Sequence, residues 1–276
     1  MEELIDDFMS RPKFSIITIA YNSGKTIERT IKSVLEQSFP DYEYIVVDGL
    51  SSDNTLEIVK KYEPLFEGKM KWISEKDKGI YNAMNKGIKM SSGNVIGIVN
   101  SDDWLDKNAL SNVYTSVQLN MHDNDSLYCG NLIFHYNNGG EHIREASKNR
   151  LDTYAKSYDI GIFHPATFVG RKVYETVGLF DEQFSLNADT DFILRCYKEK
   201  KNFVFIPYVL SNMSDGGATN SGHTAKEMQD RKLVLKKHCK NPFEFWYLWS
   251  VYFIKIYAKR ILPHSLVVKI RSNKDK

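Results

Sequence analysis

Phe14-Ser15-Ile16-Ile17-Thr18-Ile19-Ala20 is a β-branched, almost continuously apolar run, the make-up of a strand buried on both faces. A turn, Tyr21-Asn22-Ser23-Gly24, follows it. Ile27, Ile31, Val34 and Leu35 then fall at the i, i+4, i+7 and i+8 positions of an amphipathic helix. The pattern repeats. Tyr42 to Val47 reads as a strand, Asp53 to Tyr62 as a helix, Met70 to Ser74 as a short strand, Ile80 to Met90 as a helix and residues 94–99 as another strand. Strands and helices alternating at this spacing predict a parallel sheet covered on both faces, hence an α/β fold.

After Asp103 the rhythm changes. Helices are expected over Asp106–Leu119, Arg171–Val177 and Asp189–Lys200, strands over Leu127–Tyr136 and Phe203–Ile206, and a polar, Gly-rich loop over 211–222.

A chain of 276 residues can build one large domain or two small ones. Cys129, Cys196 and Cys239 are odd in number and show no CxxC spacing, which argues for a reducing compartment and against a thiolate zinc site. The acidic start, Met1-Glu2-Glu3-Leu4-Ile5-Asp6-Asp7, has no long apolar stretch, so a cytoplasmic chain without a secretory signal is expected. The net charge of +2 hides an asymmetry: residues 231–276 hold 12 Lys/Arg against 2 Asp/Glu, and residues 1–230 hold 25 against 33. No nucleic-acid partner is expected.

The strand at 94–99 runs into Asn100-Ser101-Asp102-Asp103. Open α/β sheets bind ligands at such carboxyl ends. Two carboxylates there suit Mg²⁺, which shares its remaining positions with water and substrate phosphates. Asp48, Glu75 and Asp77 also sit just beyond strands, so a parallel sheet gathers them on the same edge. Acids packed together repel unless a cation or a hydrogen-bonding ligand lies between them.

These residues carry a family resemblance. The segments Ser15-Ile16-Ile17-Thr18-Ile19-Ala20-Tyr21-Asn22, Val47-Asp48-Gly49-Leu50-Ser51-Ser52-Asp53-Asn54-Thr55 and Glu75-Lys76-Asp77-Lys78-Gly79-Ile80-Tyr81-Asn82 resemble the nucleotide-binding half of family 2, GT-A-fold glycosyltransferases of the bacterial polysaccharide-biosynthesis type. Asn100-Ser101-Asp102-Asp103 is similar to that family's DXD metal motif. The resemblance covers about residues 13–220, with the motifs in the family's order.

The resemblance implies a Rossmann-like, mostly parallel GT-A sheet flanked by helices. It also implies a catalytic domain over 1–225, with a nucleotide-binding half at 13–104 and an acceptor half at 105–225, followed by a helical extension at 226–276. It implies an inverting enzyme moving a hexose or N-acetylhexosamine from a nucleotide-diphosphate sugar, of the UDP class, to a saccharide acceptor. Asp48 would accept a hydrogen bond from the base; Thr18, Ala20, Tyr21, Asn22, Asp53, Asp77, Gly79, Asn82 and Ser101 would shape the nucleotide pocket. Asp102 would contact ribose or metal, and Asp103 would ligate Mg²⁺ or Mn²⁺.

Inversion needs a base on the acceptor side. Leu186-Asn187-Ala188-Asp189-Thr190-Asp191-Phe192 resembles the acidic pair that the family places at a helix start, with Ala188 standing where one acid would be. Asp189 is favoured over Asp191 for this role, and a capping role for either stays open. His164 is either a contact to the acceptor or diphosphate or a buried, hydrogen-bonded histidine. His223, after a Gly-rich segment, is either a last metal ligand or a solvated helix start. A sugar-1-phosphate nucleotidyltransferase and a non-catalytic saccharide-binding subunit are the alternatives.

The tail from Phe243 to Leu262 is aromatic and then basic, and its charge-free core at 245–254 is too short for a bilayer, which needs about 20 residues. It reads either as a helix on the inner leaflet, which would favour a polyprenyl-linked acceptor, or as one packed on the catalytic domain or in a homo-oligomer.

Overall fold

The structure, a computed structural model, describes residues 12–120, 124–215 and 224–261. The expected alternation is present. Strand β1 (Phe14–Ala20) leads through α1 (Ile27–Leu35) to β2 (Tyr42–Asp48), then through α2 (Thr55–Tyr62) to β3 (Met70–Ser74). Helix α3 (Ile80–Met90) returns the chain to β4 (Val95–Asn100). These strands pair in parallel in the order β3-β2-β1-β4. The direction of winding reverses between β1 and β4, and a crevice opens at their carboxyl ends.

The period of two in each strand divides the core. Ile17 and Ile19 of β1, Ile45 and Val47 of β2, and Ile96 and Ile98 of β4 join α3 on one face. Phe14, Ile16, Tyr44, Val46, Val95 and Val99 join α1 and α2 on the other.

The second half adds β5 (Trp104–Leu105), α4 (Ala109–Leu119), β6 (Ser126–His135), β7 (Glu141–Arg144), α5 (Lys148–Ala155), β8 (Thr167–Gly170), α6 (Arg171–Val177), α7 (Ala188–Lys198) and β9 (Asn202–Ser214). Strand β8 pairs antiparallel with β4 and carries the sheet onward through β6 and β9 to β5.

Strand β9 is longer than the expected Phe203–Ile206, and its residues 211–214 occupy the first part of the expected loop. Pairing with β6 skips Pro207 and Tyr208, passing from Ile206 opposite Gly130 to Val209 opposite Asn131, then resumes to Ser214. A proline lacks the N–H a ladder needs, and here a bulge absorbs it.

Helix α8 (Thr224–His238) buries Val234 and Leu235 completely in the same core as α7. Helix α9 (Pro242–Ile261) lays Phe245, Leu248 and Trp249 against that core. Among the described residues, no helix is long and apolar enough to cross a membrane.

Candidate active site

The crevice between β1 and β4 opens into a cavity of about 780 Å³. Its walls are built by the turns after β1, β2, β3 and β4, by the start of α3, by His164 and Pro165, and by Ser185, Leu186 and Asp189 at the entry to α7. Of the expected site residues, Ala20, Tyr21, Asn22, Asp53, Asp77, Gly79, Ser101, Asp102, Asp103, His164 and Asp189 all face it. Thr18, Asp48, Asn82 and Asp191 do not line it; His223 and the glycines around it lie outside the described residues.

The turns after β1 and β2 are knitted together. Asn22, in the left-handed region at φ 50°, accepts the Ser52 amide at 2.9 Å and donates its own amide to Ser51 Oγ at 2.8 Å. Asparagine tolerates this conformation better than most residues. Asp53 accepts from the Gly24 amide at 2.9 Å and from the Thr55 amide at 3.0 Å, so its carboxylate joins the two turns as it walls the cavity. Ser23 Oγ lies 2.7 Å from Ser101 Oγ, tying β1 to the acidic end of β4 across the crevice.

Asp48 is fully buried and bonds inward, accepting from Ser51 Oγ at 2.5 Å, the Ser51 amide at 3.1 Å and Ser74 Oγ at 2.6 Å. It braces the β2 and β3 ends from behind. Thr18 accepts from the Tyr44 hydroxyl at 3.0 Å, and Asn82 bridges the Lys78 amide and Glu182. Asp77 accepts from the Gly79 amide at 2.9 Å. Gly79 holds φ at 121°, and a Cβ on Gly49 would lie 2.6 Å from Asp77 Oδ2, so both glycines are needed for this turn.

At the acidic end, Asp103 is 1% exposed and accepts from Asn100 Nδ2 at 3.0 Å and from the Ser214 amide at 3.3 Å. Burial, reinforced by the neighbouring Asp102, pushes its carboxyl up to about 7. Burial also raises Asp102. Arg29, which nothing in the sequence singled out beyond its place on α1, donates to the Asp102 carbonyl and to Ser214 Oγ, each at 2.7 Å. Its guanidinium stacks 3.7 Å from the Trp104 ring centre, holding the β4–β5 turn against β9.

A divalent cation suits this end. Asn100 lines the cavity, and its buried Oδ1 has no hydrogen-bond partner among the described residues, close to two carboxylates whose proximity opposes ionisation. Amide and carboxylate oxygens are the donors Mg²⁺ and Mn²⁺ take. Among the described residues, no group of three or more His, Cys, Asp or Glu side chains is arranged to hold a metal, so substrate phosphates and water would complete the set.

Across the cavity, Asp189 Oδ1 accepts from the Thr190 amide at 2.8 Å and from the Tyr81 hydroxyl at 3.4 Å. Burial pushes its carboxyl up to about 6, against the lowering effect of those two donors. His164 is held well down, at about 4, by burial alone, and is neutral at physiological pH. It packs edge-on to Phe180.

Asp191, two residues on, faces the other way. It is fully buried and meets Arg195 Nε, Lys237 Nζ and His238 Nε2, each at 2.9 Å. Burial alone would raise its pKa; hydrogen bonds from His238 and Lys237 and the Arg195 charge outweigh that and hold it well below the usual carboxylate range. Asp230 of α8 completes the scaffold: its Oδ2 accepts the amides of Ser185, Leu186 and Asn187 at 2.9, 2.6 and 3.1 Å. Those residues form the cavity-wall segment that delivers Asp189. Sequence reasoning missed Tyr81, Asp230 and His238, because contacts 44–108 residues apart leave no local pattern.

Residues 15–178 match the profile of Glycosyl transferase family 2. A PGL/p-HBAD biosynthesis glycosyltransferase of Mycobacterium bovis is 26% identical over 225 residues, covering 81% of this chain and 85% of that protein. Among solved structures, Staphylococcus aureus TarS 1–349 in complex with UDP-GlcNAc superposes with a TM-score of 0.62 at 19% identity, over 87% of this chain and 71% of that one. The Pyrobaculum calidifontis mannosyltransferase PcManGT, in complex with GDP-Man and Mn²⁺, superposes at 0.61 with 16% identity, over 96% of this chain and 80% of that one. The α/β architecture is therefore the GT-A fold, and the chain belongs to glycosyl transferase family 2 and is a glycosyltransferase.

Proposed function

We propose that the chain transfers a hexose or N-acetylhexosamine from a UDP-sugar to a hydroxyl of a saccharide acceptor, in one displacement that inverts the anomeric centre. The observation that carries this reading is that Asp102 and Asp103 from the end of β4 and Asp189 from the start of α7 wall one cavity. The UDP-GlcNAc complex of TarS supports the donor class.

In this reading the nucleotide lies across the ends of β1 and β2. Tyr21, 67% exposed, offers a ring face to the base, while Asn22, Asp53, Asp77, Gly79 and Ser101 form the surrounding wall. Thr18, Asp48 and Asn82 serve by bracing that wall. Lys25 supplies a positive charge on the same side. Asp103, with Asp102 and Asn100, would hold Mg²⁺ or Mn²⁺, which when bound neutralises charge gathering on the leaving diphosphate.

Asp189 removes the acceptor hydroxyl proton as that oxygen bonds to the anomeric carbon and the bond to the diphosphate breaks. Its two described hydrogen bonds fall on Oδ1, so Oδ2 is the oxygen assigned to the proton. Neutral His164 stands as an acceptor contact. The aromatic helix α9 supports an acceptor that is lipid-linked and met at the inner face of the cell membrane. Incubation with UDP-sugars and saccharide acceptors tests the reading: release of UDP with a glycosylated product is expected. Release of pyrophosphate from UTP and a sugar 1-phosphate, in a parallel incubation, would point to a nucleotidyltransferase instead. Asp189→Asn should bind donor without turnover, and retained turnover would remove the base from Asp189.

A further inference from the structure

Over residues 243–254, helix α9 is covered on one side. Phe245, Leu248 and Trp249 pack on the core, Tyr252 lies under Arg231 at 5.4 Å, and Glu244 accepts from the Tyr158 hydroxyl at 3.0 Å. On the opposite side Phe243, Trp246, Tyr247 and Ile254 are 83%, 60%, 62% and 66% exposed. With the exposed Ser250 they follow an i, i+3, i+4, i+7, i+11 spacing, a single outward face of one helix. Water gives no reason to present four large apolar residues together.

Near the turn into α9 lies a second cavity, of about 550 Å³, walled by Lys148, Lys198, Lys200 and Lys201 with Asp152, Phe203 and Phe205. Lys198 Nζ donates to the carbonyl of His238, the last residue of α8, at 3.1 Å, so the lysines abut the turn that leads into α9. Lys201 pairs with Asp125, whereas Lys148 and Lys200 have no carboxylate partner among the described residues. Lys236 and Lys240 are exposed near the same turn.

We propose that this outward face of α9, with the lysines around the turn that leads into it, docks the enzyme on an anionic lipid bilayer. Tryptophan and tyrosine settle at the headgroup level, and lysines gain from negative surface potential. The helix lies in the interface and does not cross it. A bilayer supplies both an apolar layer and many negative charges. A second copy of the chain, packed here about a two-fold axis, would instead bring like-charged lysines together. The proposal rests on the sugar-transfer reading only for the lipid-linked acceptor; docking itself is measured without any transfer.

The test is flotation of the full chain with vesicles of phosphatidylcholine alone and of phosphatidylcholine with phosphatidylglycerol. Wild type should float with the anionic vesicles and about tenfold less with the neutral ones. Trp246→Ser combined with Tyr247→Ser, and separately Lys200→Glu, should each lower anionic binding by about tenfold with the melting temperature unchanged, since these side chains are exposed. Failure of wild type to float, or unchanged flotation of both variants, overturns the proposal. So does a dimer, seen by light scattering, that the Trp246/Tyr247 variant abolishes, because the face would then belong to a second copy.

Discussion

His238 Nε2 lies 2.9 Å from Asp191 Oδ1, joining the last residue of α8 to the first turn of α7 inside the protein. Arg195 and Lys237 take the rest of that carboxylate. Asp191 therefore locks α7 against α8, while Asp189, two residues back and nearly opposite around α7, turns to the cavity. Removing one partner of a buried ion cluster strands the remaining charges. Asp191→Ala should lose about 3–5 kcal/mol of stability in urea unfolding. His238→Ala, which leaves Lys237 and Arg195 in place, should lose about 1–3 kcal/mol. Unchanged midpoints would mean that the cluster does not hold the helices.

The Asp189 carboxyl, raised by burial to about 6, sets an expectation for pH. As the proposed base, Asp189 works only when ionised, so turnover should rise with pH through about 6 and then level off. The Tyr81 hydroxyl lowers the pKa of Asp189 by donating to it. Tyr81→Phe should therefore move the acid limb to higher pH, with donor affinity retained. A limb that stays in place in this variant would separate Tyr81 from the base.

The oxygen set at the end of β4 predicts a cation effect separable from turnover. Mn²⁺ with UDP should raise the melting temperature of the wild-type chain more than UDP alone. Asp103→Asn should abolish that increment, because it removes one of the two carboxylate charges. An equal increment in the variant would place the ion elsewhere.

Glu43 links β1, β2, β3 and the turn before β4. It accepts from Ser15 Oγ at 2.6 Å, from the Ser92 amide at 2.5 Å and from Lys71 Nζ at 3.0 Å. Burial works against its ionisation, and these donors outweigh burial, holding the carboxyl down at about 2. Because the folded pKa is depressed, the stability this group contributes is present above pH 4.5 and is lost as pH falls towards 2. Glu43→Gln should lower stability at pH 7 and flatten that acid dependence, as read by urea unfolding at several pH values. A parallel dependence in both chains would show that other carboxylates govern acid unfolding.

Local pattern carried the first half of the chain well. Met70–Ser74 and Ile80–Met90 occur at the expected bounds, because side-chain period and turn residues act over a few positions. Convergence of the acids on one edge followed from parallel topology alone. Pattern could not say which acids would face the ligand. Asp48 and Asp53 are five residues apart in one turn, yet Asp48 is satisfied internally and Asp53 walls the cavity. The strand expected from the sequence ends at Ile206, and only pairing with β6 carries β9 past Pro207.

The sequence by itself determined the strand–helix order, the acidic end of β4 and the family to which the chain belongs, since each is written in short-range spacing and motif order. Tertiary structure alone decided the division of labour between Asp189 and Asp191. A helix turns about 100° per residue, so two acids two positions apart face nearly opposite ways. Which of them meets the cavity and which meets Arg195, Lys237 and His238 depends on where α8 packs, and that is set by contacts about 45 residues distant.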